Sequence, residues 1–330
     1  MMLTWPALEL LRAGMPEARI DFLVSSYTSP IAALCPSVDD VITDHGKAVR
    51  DLAAVIRQKG YDAAISMFNT TRVTLALSWA GVPYRLGPAT KASQLFLTHR
   101  LRQRRSRSEK PEYQYNEDLV TSALSDMSRP LNSGRPSLPY LSFTAAELAE
   151  MRQRVSGQLR IPADMAWVIV HPGSGGSANN LKAPQYAELI NRMDGSPPYC
   201  VLVTAGPGEM STAAEVFSKL DHPRAALYES RDGLVSFAKL IAAADLFISG
   251  STGPLHIAGA LNQATAAFYP SKLSSTALRW QTPNDPARRL SFQPPPDARE
   301  TDMLAIDLEK AAQRISGLLE ARVLESSHAP

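Results

Sequence analysis

The sequence predicts a two-domain α/β protein built on parallel sheets, and three observations carry that reading. At 330 residues the chain exceeds what one ordinary hydrophobic core accommodates and suits two domains of roughly 150 residues each. Short, near-continuous apolar runs alternate with stretches of helical periodicity, the pattern of parallel strands covered by helices on both faces. Between the halves lies Ser128 to Tyr140, rich in proline, serine and glycine, followed by a helical stretch from Thr144 to Leu159. A boundary is expected there, near residues 140–160, giving domains over 1–150 and 151–330.

The chain opens on a helix. Pro6 suits a first helical turn, and Ala7, Leu8, Leu10 and Leu11 continue an apolar face, so Leu3 to Ala13 reads as helical. Ile20 to Val24, Ala63 to Met67 and Tyr84 to Leu86 are the β-prone runs of the first half, while Lys47 to Gln58 and Thr70 to Ala80 carry helical spacing. The second half is cleaner. Strands are expected at Trp167 to Val170, Cys200 to Thr204, Ala225 to Tyr228, Leu246 to Ser249 and Thr265 to Tyr269, each of the first four followed by a helical stretch. Thr301 to Val323 reads as one long amphipathic helix, with Ser326 to Pro330 frayed. A doubly wound domain normally begins with a buried strand whose C-terminal end faces the ligand crevice. A helix in first place means either an unusual start or a strand and loop ahead of Met1.

Composition narrows the function. A net charge of +2 excludes a general nucleic-acid binder, so any basic function is local. Cys35 and Cys200 are the two cysteines; their separation argues against a disulfide scaffold or a zinc site and fits a reducing cytoplasm. No run approaches the ~18 apolar residues of a membrane span, and the first residues lack the basic start of a signal peptide. Asp-x-Asp, GxSxG and HExxH are absent, leaving no motif-based metal site or serine-hydrolase elbow; Asp39-Asp40 reads as a turn.

Four segments are candidates for chemistry. In Asp245 to Leu261 an apolar strand ending at Ser249 runs into Gly250-Ser251-Thr252-Gly253, with Pro254 at the first turn of an Ala/Gly-rich helix. That arrangement aims backbone N–H groups and a positive helix end at one point, a site for a diphosphate, with His256 one turn in. An ordinary strand-turn-helix connection with Ser or Thr as N-cap has the same appearance. His171-Pro-Gly-Ser-Gly-Gly-Ser177, continuing to Asn179, Asn180 and Lys182, also follows a strand. Its small residues from Gly173 to Ala178 permit close backbone approach, and Lys182 or the asparagines suit phosphate oxygens; a flexible surface loop is the alternative. Gly206-Pro-Gly-Glu209 places a carboxylate after a glycine turn, suited to ribose hydroxyls or simply to an acidic helix start. Finally, Arg100, Arg102, Arg104, Arg105 and Arg107 put five arginines into eight residues. They form a patch for an acidic acceptor or anionic lipid headgroups, or else a solvated loop.

With these residues in view the chain resembles glycosyltransferase family 9, the heptosyltransferases of lipopolysaccharide core assembly. The matches are His171-Pro-Gly-Ser after a strand, the Gly206 to Glu209 turn, Ser251-Thr-Gly-Pro-Leu-His256, and in the first half Pro6-Ala-Leu, Pro16-x-Ala-Arg-Ile20 and Ala80-Gly-Val-Pro-Tyr-Arg-Leu-Gly87. The resemblance implies a GT-B fold of two Rossmann-like domains whose parallel sheets face a central cleft. It implies an acceptor-binding first domain, a nucleotide-sugar-binding second domain, and a last helix crossing back to the first. It also implies inverting, metal-independent transfer without a cofactor. Ser251 stands where the family often has Asp, and Asn179, Asn180 and Leu181 precede Lys182 where the family has a basic residue and Trp. The family's general-base Asp, in a Gly-Asp loop after the first strand, would fall immediately before Met1.

The expected function is therefore transfer of a sugar, heptose from ADP-heptose foremost, to an acidic lipopolysaccharide-type glycolipid. The expected location is the cytoplasm, with peripheral contact to the cytoplasmic face of the inner membrane. The donor set is Gly173, Ser174, Ser177, Asn180, Lys182, Gly206, Glu209, Ser251, Thr252, Gly253 and His256; the acceptor set is the arginine cluster. If a residue of this chain supplies the base, Asp21, Asp232 and His256 come first. The alternatives are a non-catalytic nucleotide-sugar-binding protein and a GT-B-type nucleotide-sugar 2-epimerase, which needs no acceptor patch.

Overall fold

The computed structural model describes residues 1–130, 138–176 and 179–327. The chain divides into two compact units, Leu3–Ser137 and Leu138–Pro330. The division falls earlier than composition suggests for a local reason. The N–H groups of Tyr140 and Leu141 both donate to Ala260 O, at 2.8 and 3.1 Å, and both side chains are buried, so the segment already belongs to the second core.

The first unit contains strands β1 (Asp21–Ser25), β2 (Asp40–Asp44), β3 (Ala63–Ile65), β4 (Tyr84–Pro88) and β5 (His99–Leu101). Its helices are α1 (Trp5–Gly14), α2 (Ser29–Ala32), α3 (Val49–Lys59), α4 (Thr71–Trp79) and α5 (Glu112–Asp126). The strands form two separate parallel sheets, β1-β2 and β3-β4-β5. Leu52, Ala53 and Ile56 of α3 pack on Ala76 and Leu77 of α4, with Leu23 and Ala64 against them. Ala7 of α1 meets Val120 and Leu124 of α5. Thr70 caps α4 by accepting from Val73 N at 3.2 Å, and Gly60 ends α3 in the left-handed region that favours glycine.

The second unit opens with α6 (Ala145–Leu159), started by a capping box between Thr144 and Glu147. Strands β6 (Ala166–His171), β7 (Tyr199–Ala205), β8 (Ala225–Glu229), β9 (Leu246–Gly250), β10 (Ala264–Phe268) and β11 (Arg289–Phe292) follow. Between and after them run α7 (Ala183–Asn191), α8 (Met210–Phe217), α9 (Gly233–Ala243), α10 (Gly253–Ala260), α11 (Ala277–Trp280) and α12 (Leu308–Ser327). All six strands are parallel in one sheet of order β11-β10-β9-β6-β7-β8. The winding reverses between β6 and β9, and ligands of such sheets bind at the strand C-termini beside that reversal.

Three strands escaped the sequence reading: β2, β5 and β11. All are edge strands, and an edge strand that faces solvent needs fewer apolar residues and tolerates charge. The Asp39-Asp40 turn is corrected. Asp40 opens β2, and the Asp39 carboxylate accepts from Ile20 N at 2.7 Å and Arg12 at 2.5 Å. The single tail helix is corrected too. A short 3₁₀ turn, Met303–Ala305, precedes α12, and the Asp307 carboxylate accepts from Lys310 N at the start of the helix. Ala311, Ala312, Ile315 and Leu319 of α12 are buried in the second unit's core, beside α7, β10 and β11. Its apolar stripe therefore serves that core. Of the tail read as frayed, α12 runs to Ser327, and 328–330 lie outside the described residues. Among the described residues no helix is long and apolar enough to cross a membrane.

Candidate functional site

The loops singled out in the second half emerge side by side at the C-terminal ends of β6, β7 and β9, where His171 pairs in register with Ser249. His171 is the last residue of β6 and is buried. Its Nδ1 lies 3.0 Å from Thr204 Oγ1 and its Nε2 3.5 Å from Glu209 Oε2. Burial lowers the affinity of the imidazole for a proton below its ordinary value, and the Glu209 carboxylate acts in the opposite direction. Phe237 and Phe247 flank the ring, with centroids 5.4 and 6.3 Å away.

Glu209 joins two of the loops. It precedes α8, and its carboxylate accepts from Gly175 N at 2.7 Å and from Gly206 N at 3.1 Å. A Cβ on Gly173 would lie 2.1 Å from Glu209 Oε2. The small residue thus permits a close approach, as its sequence context suggested, and the approaching group is this carboxylate.

Asn180 fastens the other side. Its Nδ2 donates to Pro172 O at 2.9 Å, and its Oδ1 accepts from Tyr186 Oη at 2.6 Å and Leu181 N at 2.9 Å. A Cβ on Gly250 would fall 2.3 Å from that Oδ1, so the β6 and β9 loops touch through Gly250 and a held amide.

The turn into α10 differs in kind. Thr252 is the residue before the helix and is only 4% exposed, yet its side chain makes no capping hydrogen bond and its Oγ1 is buried without a partner. Gly253 is exposed beside it and Pro254 follows in the first turn. First-turn N–H groups have no intrahelical acceptor, and the helix dipole places positive potential there. His256, half-buried one turn in, also has a buried Nδ1 without a partner; burial holds its ring neutral, and the Trp280 ring lies 6.5 Å away. A buried hydroxyl left unsatisfied costs about 1–3 kcal/mol, which marks Thr252 as a position built for something other than packing.

The remaining donor candidates are placed less centrally. Ser251 and Ser174 are half-buried in the same loops. Lys182 is exposed just before α7, its N–H donating to Gln185 Oε1 at 3.0 Å. Ser177 lies outside the described residues. Sequence reading missed Thr204 and Tyr186, which orient His171 and Asn180; neither belongs to a motif, and each is identified only by the neighbour the fold supplies.

In the first unit the five arginines separate by role. Arg105 is structural: it pairs with Glu112 at 2.5 Å and donates to Met67 O and Gln103 Oε1 at 3.0 and 2.9 Å. Arg107 lies 3.7 Å from Glu109 and Arg100 donates to Leu97 O at 3.4 Å. Arg102 and Arg104 are exposed, and among the described residues their side chains have no hydrogen-bond or ion-pair partner. Of the residues considered for a base, Asp21 sits at the N-terminal end of β1 with its side chain buried under Tyr61, Arg19 and Lys59. That is the end opposite a ligand crevice. Asp232 is paired with Arg154 at 2.8 Å. No group of three or more His, Cys, Asp or Glu side chains with metal-site geometry occurs among the described residues.

A six-stranded parallel sheet with glycine-rich loops and a helix start gathered at its reversal defines a doubly wound α/β unit with its loops at the ligand end of the sheet. The chain belongs to glycosyltransferase family 9, the heptosyltransferase family, whose model matches residues 49–304. It is 40% identical over 321 residues to a putative glycosyltransferase of Haemophilus influenzae, covering 96% of this chain and 92% of that one. Among solved structures it is similar to ADP-heptose lipopolysaccharide heptosyltransferase II of Escherichia coli (TM-score 0.76, 20% identity, 99% and 96% covered). It is also similar to the family 9 glycosyltransferase of Veillonella parvula (TM-score 0.77, 16% identity, 98% and 94% covered). The fold is GT-B and the protein is a glycosyltransferase.

Proposed function

We propose that this glycosyltransferase moves a sugar, ADP-heptose being the foremost donor, to an acidic lipopolysaccharide core-type acceptor, with inversion and without a metal ion. One observation carries the donor assignment: the buried, unpartnered Thr252 hydroxyl at the N-terminus of α10, beside the sheet reversal. A diphosphate oxygen there satisfies the hydroxyl and the first-turn N–H groups together. Ser251 and Gly253 complete that cradle, and His256 stands close behind it as a neutral donor. Gly173, Ser174, Asn180 and Lys182 line the second side, while Gly206 and Glu209 face the ribose, whose hydroxyls would compete with Gly175 N for the carboxylate. As the glycosidic bond to the diphosphate breaks, the same N–H groups stabilise the departing charge, and an acceptor hydroxyl attacks the anomeric carbon from the opposite face as a carboxylate removes its proton.

Of the arginine cluster, Arg102 and Arg104 are assigned to the acidic acceptor, Arg105 being held by Glu112 and Arg107 lying against Glu109, with the protein working in the cytoplasm at the inner-membrane surface. Titration with ADP tests the donor site. Thr252→Val should weaken ADP binding about tenfold, the scale of one lost hydrogen bond to a charged group, without lowering stability. Unchanged affinity would end the assignment. Mass spectrometry of products with and without acceptor separates transfer from one-substrate epimerisation.

A further inference from the structure

The lateral edge of the first unit holds a cavity of about 610 Å³ between the segment after β5 and the outer face of α5. That volume lies within the range of small-molecule sites. Its two walls differ chemically. On one, Arg102 and Arg104 are exposed and line the cavity, while the Gln103 side chain between them is buried and donates to Tyr115 O at 2.6 Å. Neither guanidinium has a partner among the described residues, whereas the neighbouring cations are engaged: Arg105 with Glu112 and Lys110 with Asp118.

On the facing wall Thr121, Ser122 and Ser125 present hydroxyls along one side of α5. Asp126 at its end accepts from Tyr84 Oη at 2.7 Å.

From this we propose that the cavity is a subsite for a phosphorylated sugar unit. Arg102 and Arg104 bracket the phosphate, where planar guanidinium forks suit its oxygens, and the α5 hydroxyls meet the sugar ring. The concave shape and the carboxylates of Glu109, Asp118 and Asp126 in the lining favour a discrete saccharide over a flat anionic membrane. A continuous negative surface would meet those carboxylates, whereas sugar hydroxyls donate to them. The site deepens the acceptor reading above and rests on it for the physiological ligand.

Glucose 6-phosphate, glucose, inorganic phosphate and phosphatidylglycerol vesicles are the probes, titrated against the full chain. Glucose 6-phosphate should bind at least tenfold more tightly than glucose or phosphate. R102Q/R104Q should lose at least tenfold of that affinity, and R107Q should stay within twofold. S122A/S125A should weaken glucose 6-phosphate about threefold and leave phosphate unchanged. Both arginines are exposed, so the double variant should keep the wild-type melting curve, and R102K/R104K, which keeps the charge without the fork, should fall between the two. Retained affinity in R102Q/R104Q, equal loss in R107Q, or binding to vesicles without preference for the sugar phosphate would overturn the proposal. ADP titrated into the same proteins keeps the two readings apart. An absence of ADP binding with sugar-phosphate binding intact would strike the donor assignment alone.

Discussion

The two units are wound from the same alternation of strand and helix, but their strands are buried to different depths. In the second unit every residue of β7, β9 and β10 is buried, and β6 is buried from Trp167 onward. In the first, β1 has one buried residue, Val24, and β2 and β3 have none. Sequence hydrophobicity does not explain the contrast, since Phe22-Leu-Val24 is as apolar as Leu246-Phe-Ile248. Continuity of the sheet does. A strand between two others has its backbone screened and both faces set under helices, whereas β1 and β3 each carry one unpaired edge because the sheets β1-β2 and β3-β4-β5 are separate. The second unit also gathers its loops at one reversal, between β6 and β9 in a single sheet.

Core truncation should separate the units most. Phe247→Ala, in a fully buried position of β9, should cost ~3–5 kcal/mol, and Leu23→Ala, half-buried in β1, only ~1–2 kcal/mol. Urea unfolding followed by hydrogen exchange in each unit measures both. Equal costs would remove the distinction.

Next in size, Gly250→Ala should cost ~1–3 kcal/mol, because the added Cβ falls on the Asn180 amide and breaks its hold on Pro172 O and Tyr186. Gly173→Ala meets the far end of a flexible glutamate instead. It should cost less stability while releasing Glu209 from Gly175, visible as faster exchange of the Gly175 amide. A larger stability loss for Gly173→Ala than for Gly250→Ala would reverse this ordering of the two loops.

A pH dependence specific to the second unit comes third. His171 has its proton affinity lowered by burial in the folded state and regains the ordinary one when unfolded. The unfolded state therefore binds more protons as pH falls below about 6.5. The stability contributed by keeping the ring neutral is whole above that pH and is lost progressively below it, on the order of 1–3 kcal/mol. His171→Gln should flatten that part of the curve; a slope unchanged in the variant would assign the effect elsewhere. The smallest expected effect is kinetic: amides on the unpaired edges of β1 and β3 should exchange faster than any in β6 or β9. Protection equal to that of β6 would mean that the separation of the sheets does not persist in solution.

Much of this was legible in the chain alone. The α/β class, the four inner strands of the second unit together with its edge strand β8, and the loops at Gly173, Gly206 and Ser251 follow from apolar runs ended by glycine and proline, which are local properties. The edge strands β2, β5 and β11 were illegible because a solvent-facing strand carries little apolar signal. The division of the five arginines was equally hidden, since sequence shows five like charges and says nothing of which meet Glu112, Glu109 or open space. Tertiary structure alone decided that Glu209 reaches back to Gly175, that Asn180 lies against Gly250, and that Thr252 is buried without a partner. The physical reason is range. Backbone propensity and periodicity act over a few residues, whereas a hydrogen bond between positions 34 residues apart, or a hydroxyl left without one, exists only once the sheet has set its strands side by side.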